Sequence, residues 1–219
     1  MDPDPILTIA EIFASIQGEG LDTGLPTVFV RSVGCNLRCA WCDTKYAYEG
    51  GAEWSLDLVE SRVATYKVKR VCLTGGEPLL QKEAPAFVQR LMKAGYEVSV
   101  ETNGSLPVKD LLALERAGRL RISLDIKCPS SKMHKKMHFG NLSSLRERDQ
   151  VKFVLRDLKD YAHARSVLRE HPTKAAVVFQ PVWGRSGAWI AESVLRDGLE
   201  ARVLVQLHKV LWGARTRGR

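Results

Sequence analysis

The sequence predicts an α/β fold in which parallel strands, joined by helical crossovers, form an incomplete TIM-type barrel. Three observations predict it. β-Branched apolar runs alternate with amphipathic helical stretches through most of the chain, as parallel strands with crossover helices require. Seven strand candidates fall short of the eight units of a closed barrel, so the sheet should stay open. The polar, glycine-rich and cysteine-rich segments each sit just beyond the C-terminal end of a strand, the rim where parallel α/β folds bind ligands.

Residues 7–16 are mainly apolar and lead into Gln17-Gly18-Glu19-Gly20, a loop whose glycines let backbone approach a ligand closely. Residues 27–33 make a β-branched strand, with three cysteines after it. A helix begins at Ser55, placing Leu56, Val59, Val63 and Tyr66 on one face. Residues 70–73 are a short strand running into Thr74-Gly75-Gly76-Glu77-Pro78. The next helix carries Ala84, Phe87, Val88 and Leu91 on one face and stops at Gly95. Strand 96–100 ends in Glu101-Thr102-Asn103-Gly104, and Pro107 suits the first turn of a helix with Val108, Leu111 and Leu112, closed by Gly118. Residues 121–124 form the fourth strand, which runs into Asp125-Ile126-Lys127-Cys128-Pro129-Ser130-Ser131. Residues 132–149 are polar and basic without a period, which predicts a long loop or a partly ordered insertion. Strand 151–155, helix 158–169, strand 175–179, a helix over about 188–197 and strand 202–205 complete the pattern, with Gln206-Leu207-His208-Lys209 after the last strand.

At 219 residues the chain suits one well-buried domain, 1–219, and is short for two. Nothing resembles a signal peptide and no apolar run is long enough to span a bilayer, so a cytoplasmic protein without a membrane partner is expected. An excess of 33 basic over 25 acidic residues gives +8. A solvated surface accounts for that more cheaply than an anionic partner, and no direct nucleic-acid contact is expected. Five cysteines in an intracellular chain argue for reduced thiols and a metal role.

The stretch Gly34-Cys35-Asn36-Leu37-Arg38-Cys39-Ala40-Trp41-Cys42-Asp43-Thr44 crowds three thiols into eight positions, enough to hold one inorganic centre. A structural zinc site wants four protein ligands, and a disulfide would leave one cysteine over. An iron–sulfur cluster held by three thiolates keeps one iron free for a small molecule. Zinc completed by a distant histidine is the alternative on these residues alone. Thr74-Gly75-Gly76-Glu77-Pro78, one strand later, exposes backbone to a ligand and offers Glu77 as an acceptor for an ammonium group.

CxxxCxxC followed by Gly-Gly-Glu-Pro resembles the radical S-adenosylmethionine enzymes, in which the open iron chelates the amino and carboxylate groups of S-adenosylmethionine. Gln17-Gly18-Glu19-Gly20, Arg31, Cys42-Asp43-Thr44, residues 125–131 and residues 206–209 are similar to the branch of that family that rearranges a carboxylated tetrahydropterin. The resemblance implies conversion of 6-carboxy-5,6,7,8-tetrahydropterin to 7-carboxy-7-deazaguanine with loss of ammonia, on the way to queuosine or archaeosine. It also implies a homodimer that needs a [4Fe-4S] cluster, S-adenosylmethionine, magnesium and an electron donor such as flavodoxin or ferredoxin. Carried over by residue, it puts Cys35, Cys39 and Cys42 on the cluster and Thr44 on magnesium. Trp41, Cys42, Asp43, Gly76, Glu77, Asn103, Asp125, Ile126 and Lys127 then line S-adenosylmethionine. Ile16, Gln17, Gly18, Arg31, Thr74 and His208 face the pterin.

The physics of those roles can be stated. A pterin carboxylate wants a cation, and Arg31 offers a planar fork. Magnesium keeps several waters and can borrow oxygens from substrate, so Thr44 can be its one protein ligand; otherwise its hydroxyl caps a turn. His208 either moves a proton or packs, and Asn103 either reaches the cofactor ribose or occupies a turn. Two departures stand out. Asp125-Ile126-Lys127 replaces the Ser-Pro-Lys of several relatives, and the basic tail ending at Arg219 lacks their terminal proline and reads as frayed. The rival readings are a glycyl-radical-enzyme activase, which shares CxxxCxxC, and a zinc-containing nucleic-acid-binding module, prompted by the basic balance and residues 132–136.

Overall fold

A computed structural model describes residues 4–114, 118–214 and 216–218. Its framework is one nine-stranded sheet. The strands are β1 (Ile6–Ile16), β2 (Pro26–Ser32), β3 (Ala52–Ser55), β4 (Arg70–Gly75), β5 (Glu97–Thr102), β6 (Leu120–Asp125), β7 (Gln150–Leu155), β8 (Ala176–Pro181) and β9 (Ala201–Val203). The helices are α1 (Leu56–Ala64), α2 (Ala84–Lys93), α3 (Lys109–Leu114), α4 (Gly140–Ser144), α5 (Leu158–Glu170), α6 (Ala188–Asp197) and α7 (Leu207–Trp212). Strand order is β3-β1-β2-β4-β5-β6-β7-β8-β9, so β3 and β9 are the edges and the sheet does not close. Seven strands, β2 and β4 to β9, run parallel, each beside the next. They are the seven that the sequence predicts, in an incomplete barrel.

Alternation along these strands sorts the side chains by face. Val28 and Val30, Val71 and Leu73, Val98 and Val100, Ile122 and Leu124, and Val151, Phe153 and Leu155 are buried together with Val59 and Val63 of α1 and Phe87 and Leu91 of α2. The intervening positions, among them Arg31, Thr74, Glu101, Ser123, Asp125, Lys152 and Gln180, line a cavity on the other side. One face therefore anchors the helices and the other supplies functional groups. Helix starts are fixed locally: Ser55 Oγ accepts from the Leu58 amide at 3.3 Å, and Asp157 accepts from the Lys159 and Asp160 amides at 3.0 and 3.1 Å.

The structure departs from the sequence reading at four places. Residues 6–16 form the longest strand, antiparallel to both β2 and β3, and a register shift between Ile9 and Glu11 breaks its alternation. Strand β3 and helix α7 went unforeseen because four and six residues hold too little period to read. Helix α3 starts at Lys109, so Pro107 precedes it, and residues 115–117, before the expected stop at Gly118, lie outside the described residues. Within 132–149 the chain holds a short 3-10 turn and α4, and it buries Asn141, Leu142, Leu145 and Asp149. Among the described residues no helix is long and apolar enough to cross a membrane.

Candidate active site

The C-terminal ends of the parallel strands surround a cavity of about 760 Å³. At one wall, Cys35, Cys39 and Cys42 are free, half-buried thiols that all face it. Their loop is pressed onto the end of β4: Gly34 O accepts from the Glu77 amide at 2.7 Å, and Ser32 O from the Gly76 amide at 3.2 Å. A Cβ on Gly76 would lie 2.0 Å from Gly34 O and 2.9 Å from Cys35 Cβ, so only glycine lets the two loops meet. Burial pushes the Cys39 thiol up, opposed by the Lys127 ammonium.

Asn103 connects this wall to β5, with Nδ2 donating to Asn36 Oδ1 at 3.0 Å and to Cys35 Sγ at 3.7 Å. Glu77 does not face the cavity. It is fully buried and accepts from the Asn103 amide (2.6 Å), Thr102 Oγ1 (2.8 Å) and the Leu79 amide (3.1 Å), so its carboxylate staples two strand ends together. Burial raises its pKa, against those donors. Ile126 is likewise in the core, its amide donating to Lys152 O at 2.8 Å and its carbonyl accepting from Cys128 Sγ at 3.9 Å.

A second group of lining residues is polar and prepaired. Gln17 Nε2 and Thr74 Oγ1 hold the two oxygens of Glu101 at 3.1 and 3.0 Å. Glu11 accepts from Arg31 Nε at 2.8 Å and from Tyr46 OH at 2.6 Å, which leaves the outer fork of Arg31, between the Phe13 and Tyr46 rings, without a hydrogen-bond partner among the described residues. Burial, offset by the Arg31 charge and reinforced by Glu11, pushes the Tyr46 hydroxyl up to about 12. His208 packs on Gly18, where a Cβ would lie 2.0 Å from its Nδ1, and burial lowers its pKa, so it is neutral at pH 7. Thr44 Oγ1 donates to Asp43 Oδ1 at 2.9 Å and caps nothing, which keeps its lone pairs available.

At the floor lies a charge network. Lys152 Nζ is 2.5 Å from Glu19 Oε2 and 3.7 Å from Asp125 Oδ2, and Lys127 Nζ is 2.9 Å from the same Asp125 oxygen. Gln206 Nε2 donates to Glu19 Oε1 at 2.6 Å, and Lys209 Nζ reaches Asp43 Oδ2 at 2.5 Å. Two buried acceptors on lining residues, Asp125 Oδ1 and Gln180 Oε1, have no donor among the described residues.

The Radical SAM superfamily model matches residues 29–162, a span that takes in the three thiols, the Gly-Gly-Glu segment and the Asp125-Ile126-Lys127 turn. Over 206 residues the chain is 43% identical to the 7-carboxy-7-deazaguanine synthase of Methanospirillum hungatei, covering 94% of this chain and 85% of that protein. Over 207 residues it is 41% identical to that of Thermoplasma acidophilum, covering 94% and 98%. The chain belongs to the 7-carboxy-7-deazaguanine synthase family. The fold agrees: the crystal structure of QueE from Escherichia coli superposes with a TM-score of 0.76 at 22% identity, over 93% of this chain and 95% of that one. Similarity on this scale to synthases leaves no support for the activase or the zinc module.

Membership of the radical SAM synthases brings a [4Fe-4S] cluster and S-adenosylmethionine, and the donor set fits them. Among the described residues, no three side chains of His, Cys, Asp or Glu close round a single ion. A cubane places each thiolate on a different iron and asks only that three sulfurs face one cavity, as these do. Of the expected site residues, Ile16, Gln17, Gly18, Arg31, Trp41, Asp43, Thr44, Thr74, Gly76, Asn103, Asp125, Lys127 and His208 also line this synthase cavity, while Glu77 and Ile126 do not. The basic tail was expected to fray, yet Thr216, Arg217 and Gly218 line the cavity; Arg215 and Arg219 lie outside the described residues. Sequence reasoning missed Glu11, Tyr46, Lys152 and Gln180, and gave Gln206 no role of its own within the 206–209 motif. Lys152 had left a signal, as the one charge inside the apolar run 151–155.

Proposed function

We propose that the chain converts 6-carboxy-5,6,7,8-tetrahydropterin to 7-carboxy-7-deazaguanine with loss of ammonia, with magnesium as a further cofactor. The reading rests above all on one cavity lined both by the three thiols and by a prepaired set of polar side chains. When bound, the cluster and S-adenosylmethionine supply a 5′-deoxyadenosyl radical able to take hydrogen from substrate C6. Everything else is the work of this chain's residues.

Cys35, Cys39 and Cys42 hold the cluster; Trp41, Asp43, Gly76, Asn103, Asp125 and Lys127 enclose the cofactor, and Glu77 and Ile126 support it from behind. The free fork of Arg31, aligned by Glu11, takes the pterin carboxylate. Glu101, fixed by Gln17 and Thr74, accepts from the N–H edge of the ring, and Asp125 Oδ1 and Gln180 Oε1 provide further acceptors for donor-rich ligands. Thr44 would contribute an oxygen to magnesium, an ion that keeps several waters and can take oxygens from substrate. The neutral imidazole of His208 can take a ring proton and return it to the departing amine. The proposal includes a homodimer, a cytoplasmic setting, a single functional unit over 1–219 and an external one-electron donor.

Anaerobic incubation of cluster-loaded protein with the pterin acid, S-adenosylmethionine, magnesium and dithionite should yield 7-carboxy-7-deazaguanine by mass spectrometry. Deuterium placed at C6 should appear in 5′-deoxyadenosine. Cofactor cleavage without the deazaguanine, or without label transfer, would overturn the reading.

A further inference from the structure

Between Asp125 and Glu147 the sequence has no acidic residue, yet it holds Lys127, Lys132, Lys135, Lys136 and Arg146. The fold places the middle of this stretch directly against the cysteine loop. The Ala40 amide donates to Ser131 O at 3.1 Å, and the Arg38 amide to Met133 Sδ at 3.5 Å. Arg38 lies between Cys35 and Cys39, and Ala40 between Cys39 and Cys42. The basic segment is thus the immediate flank of the cluster-bearing loop.

That flank is held in place. Ser131 is buried, its Oγ donates to Cys128 O at 2.6 Å and accepts from the Met133 amide at 3.1 Å, and the Lys136 amide closes a turn on Met133 O at 3.0 Å. Lys132 has φ of +66°, a left-handed backbone that glycine would adopt at less cost, and it keeps a charged side chain there. Arg38, Lys132, Lys135 and Lys136 are all exposed, and none forms an ion pair among the described residues. The neighbouring carboxylate, Asp157, is engaged in capping α5 and in accepting from Ser130 Oγ at 3.3 Å.

We propose that Arg38, Lys132, Lys135 and Lys136 form the landing surface for a small acidic electron-carrier protein, which delivers the electron that the cluster requires. The inference rests on the radical SAM reading above and adds where the donor docks. The carrier loses one electron as the cluster gains one, so no further co-reactant enters. Arg38 donates to Cys35 O and Leu37 O at 2.7 and 2.8 Å and lies over the Tyr48 ring, so its charge is held at the redox loop; with the three lysines it complements an acidic patch and steers its approach. A polynucleotide fits less well, because no Phe, Tyr or Trp is exposed between residues 132 and 136 to stack on bases.

The test is a triple variant, Lys132→Gly, Lys135→Glu, Lys136→Glu, in the cluster-loaded enzyme. Glycine suits the left-handed position and the other two side chains are exposed, so thermal stability should match wild type. Titrated with an acidic flavodoxin, wild type should bind more weakly as salt rises. The variant should bind about tenfold more weakly at low salt. Flavodoxin-driven turnover should fall in step, while dithionite-driven turnover, which needs no docking, should hold. Equal affinity of the two proteins for flavodoxin would overturn the proposal, as would a variant that loses affinity only for an RNA oligonucleotide. Should wild type lose flavodoxin affinity on mutation yet make no product with dithionite, the surface stands and the assigned activity falls.

Discussion

Lys152 shows what a single residue carries here. Its ammonium is 9% exposed and faces Glu19, itself 15% exposed, at 2.5 Å. Burial opposes both charges, but Lys152 and the Gln206 hydrogen bond hold the Glu19 carboxyl well below its usual range, and Glu19, Asp125 and Glu101 raise Lys152. The depressed acid stabilises the fold above its unfolded pKa of about 4.3 and that contribution fades as pH falls; the raised base stabilises it below about 10.4 and that fades as pH rises. The pair therefore supports the protein across the whole neutral range. Lys152→Met should cost about 3–5 kcal/mol, because Glu19 is left buried without its cation. It should also invert the acid response: the contribution of the pair to wild-type melting fades as pH falls below about 4.3, whereas the variant, with Glu19 now easier to protonate, holds or gains there. Adding Glu19→Gln should restore most of the loss. A variant with the wild-type pH profile would show that the pair is not coupled.

At the scale of elements, the join between the end of β4 and the loop after β2 sets the cluster wall. Gly76→Ala would drive a methyl into Gly34 O and the Cys35 side chain, so reconstituted protein should lose most of its iron and its visible iron–sulfur absorption while far-ultraviolet circular dichroism persists. Full iron loading of this variant would mean the loops can separate without harm. The same elements explain what the sequence could and could not tell. Strands such as 151–155 read clearly because apolar, β-branched runs are separated by helical periods, and the motifs stood out because they follow strand ends. Strand β1 was hidden by its register shift, which moves the apolar side chains from one face to the other midway. The burial of Glu77 was not legible because it depends on Thr102 at the end of β5 and Asn103 just after it, and Glu19 finds Lys152 133 positions away, a pairing no local pattern encodes.

On the scale of the whole molecule, the first strand and the last residues close the same cavity. Glu11 of β1 aligns Arg31, Tyr46 donates to Glu11, and the Arg217 guanidinium lies 4.0 Å from the Tyr46 ring centroid. An open sheet lacks the final units that would wall off this side, and the tail after α7 stands in their place. Thr216, Arg217 and Gly218 are exposed and bury little apolar surface, so they add little to stability. Their effect should fall on binding. Ending the chain at Trp212 should shift the melting temperature by no more than about 2 °C. A lost cation–aromatic contact of about 1 kcal/mol should raise KM for the pterin roughly fivefold, with kcat less affected. Arg217→Gln should reproduce most of that rise, since it removes the charge over Tyr46 and leaves the backbone in place. If truncation lowers the melting temperature sharply while KM stays unchanged, the tail is part of the fold and not of the site.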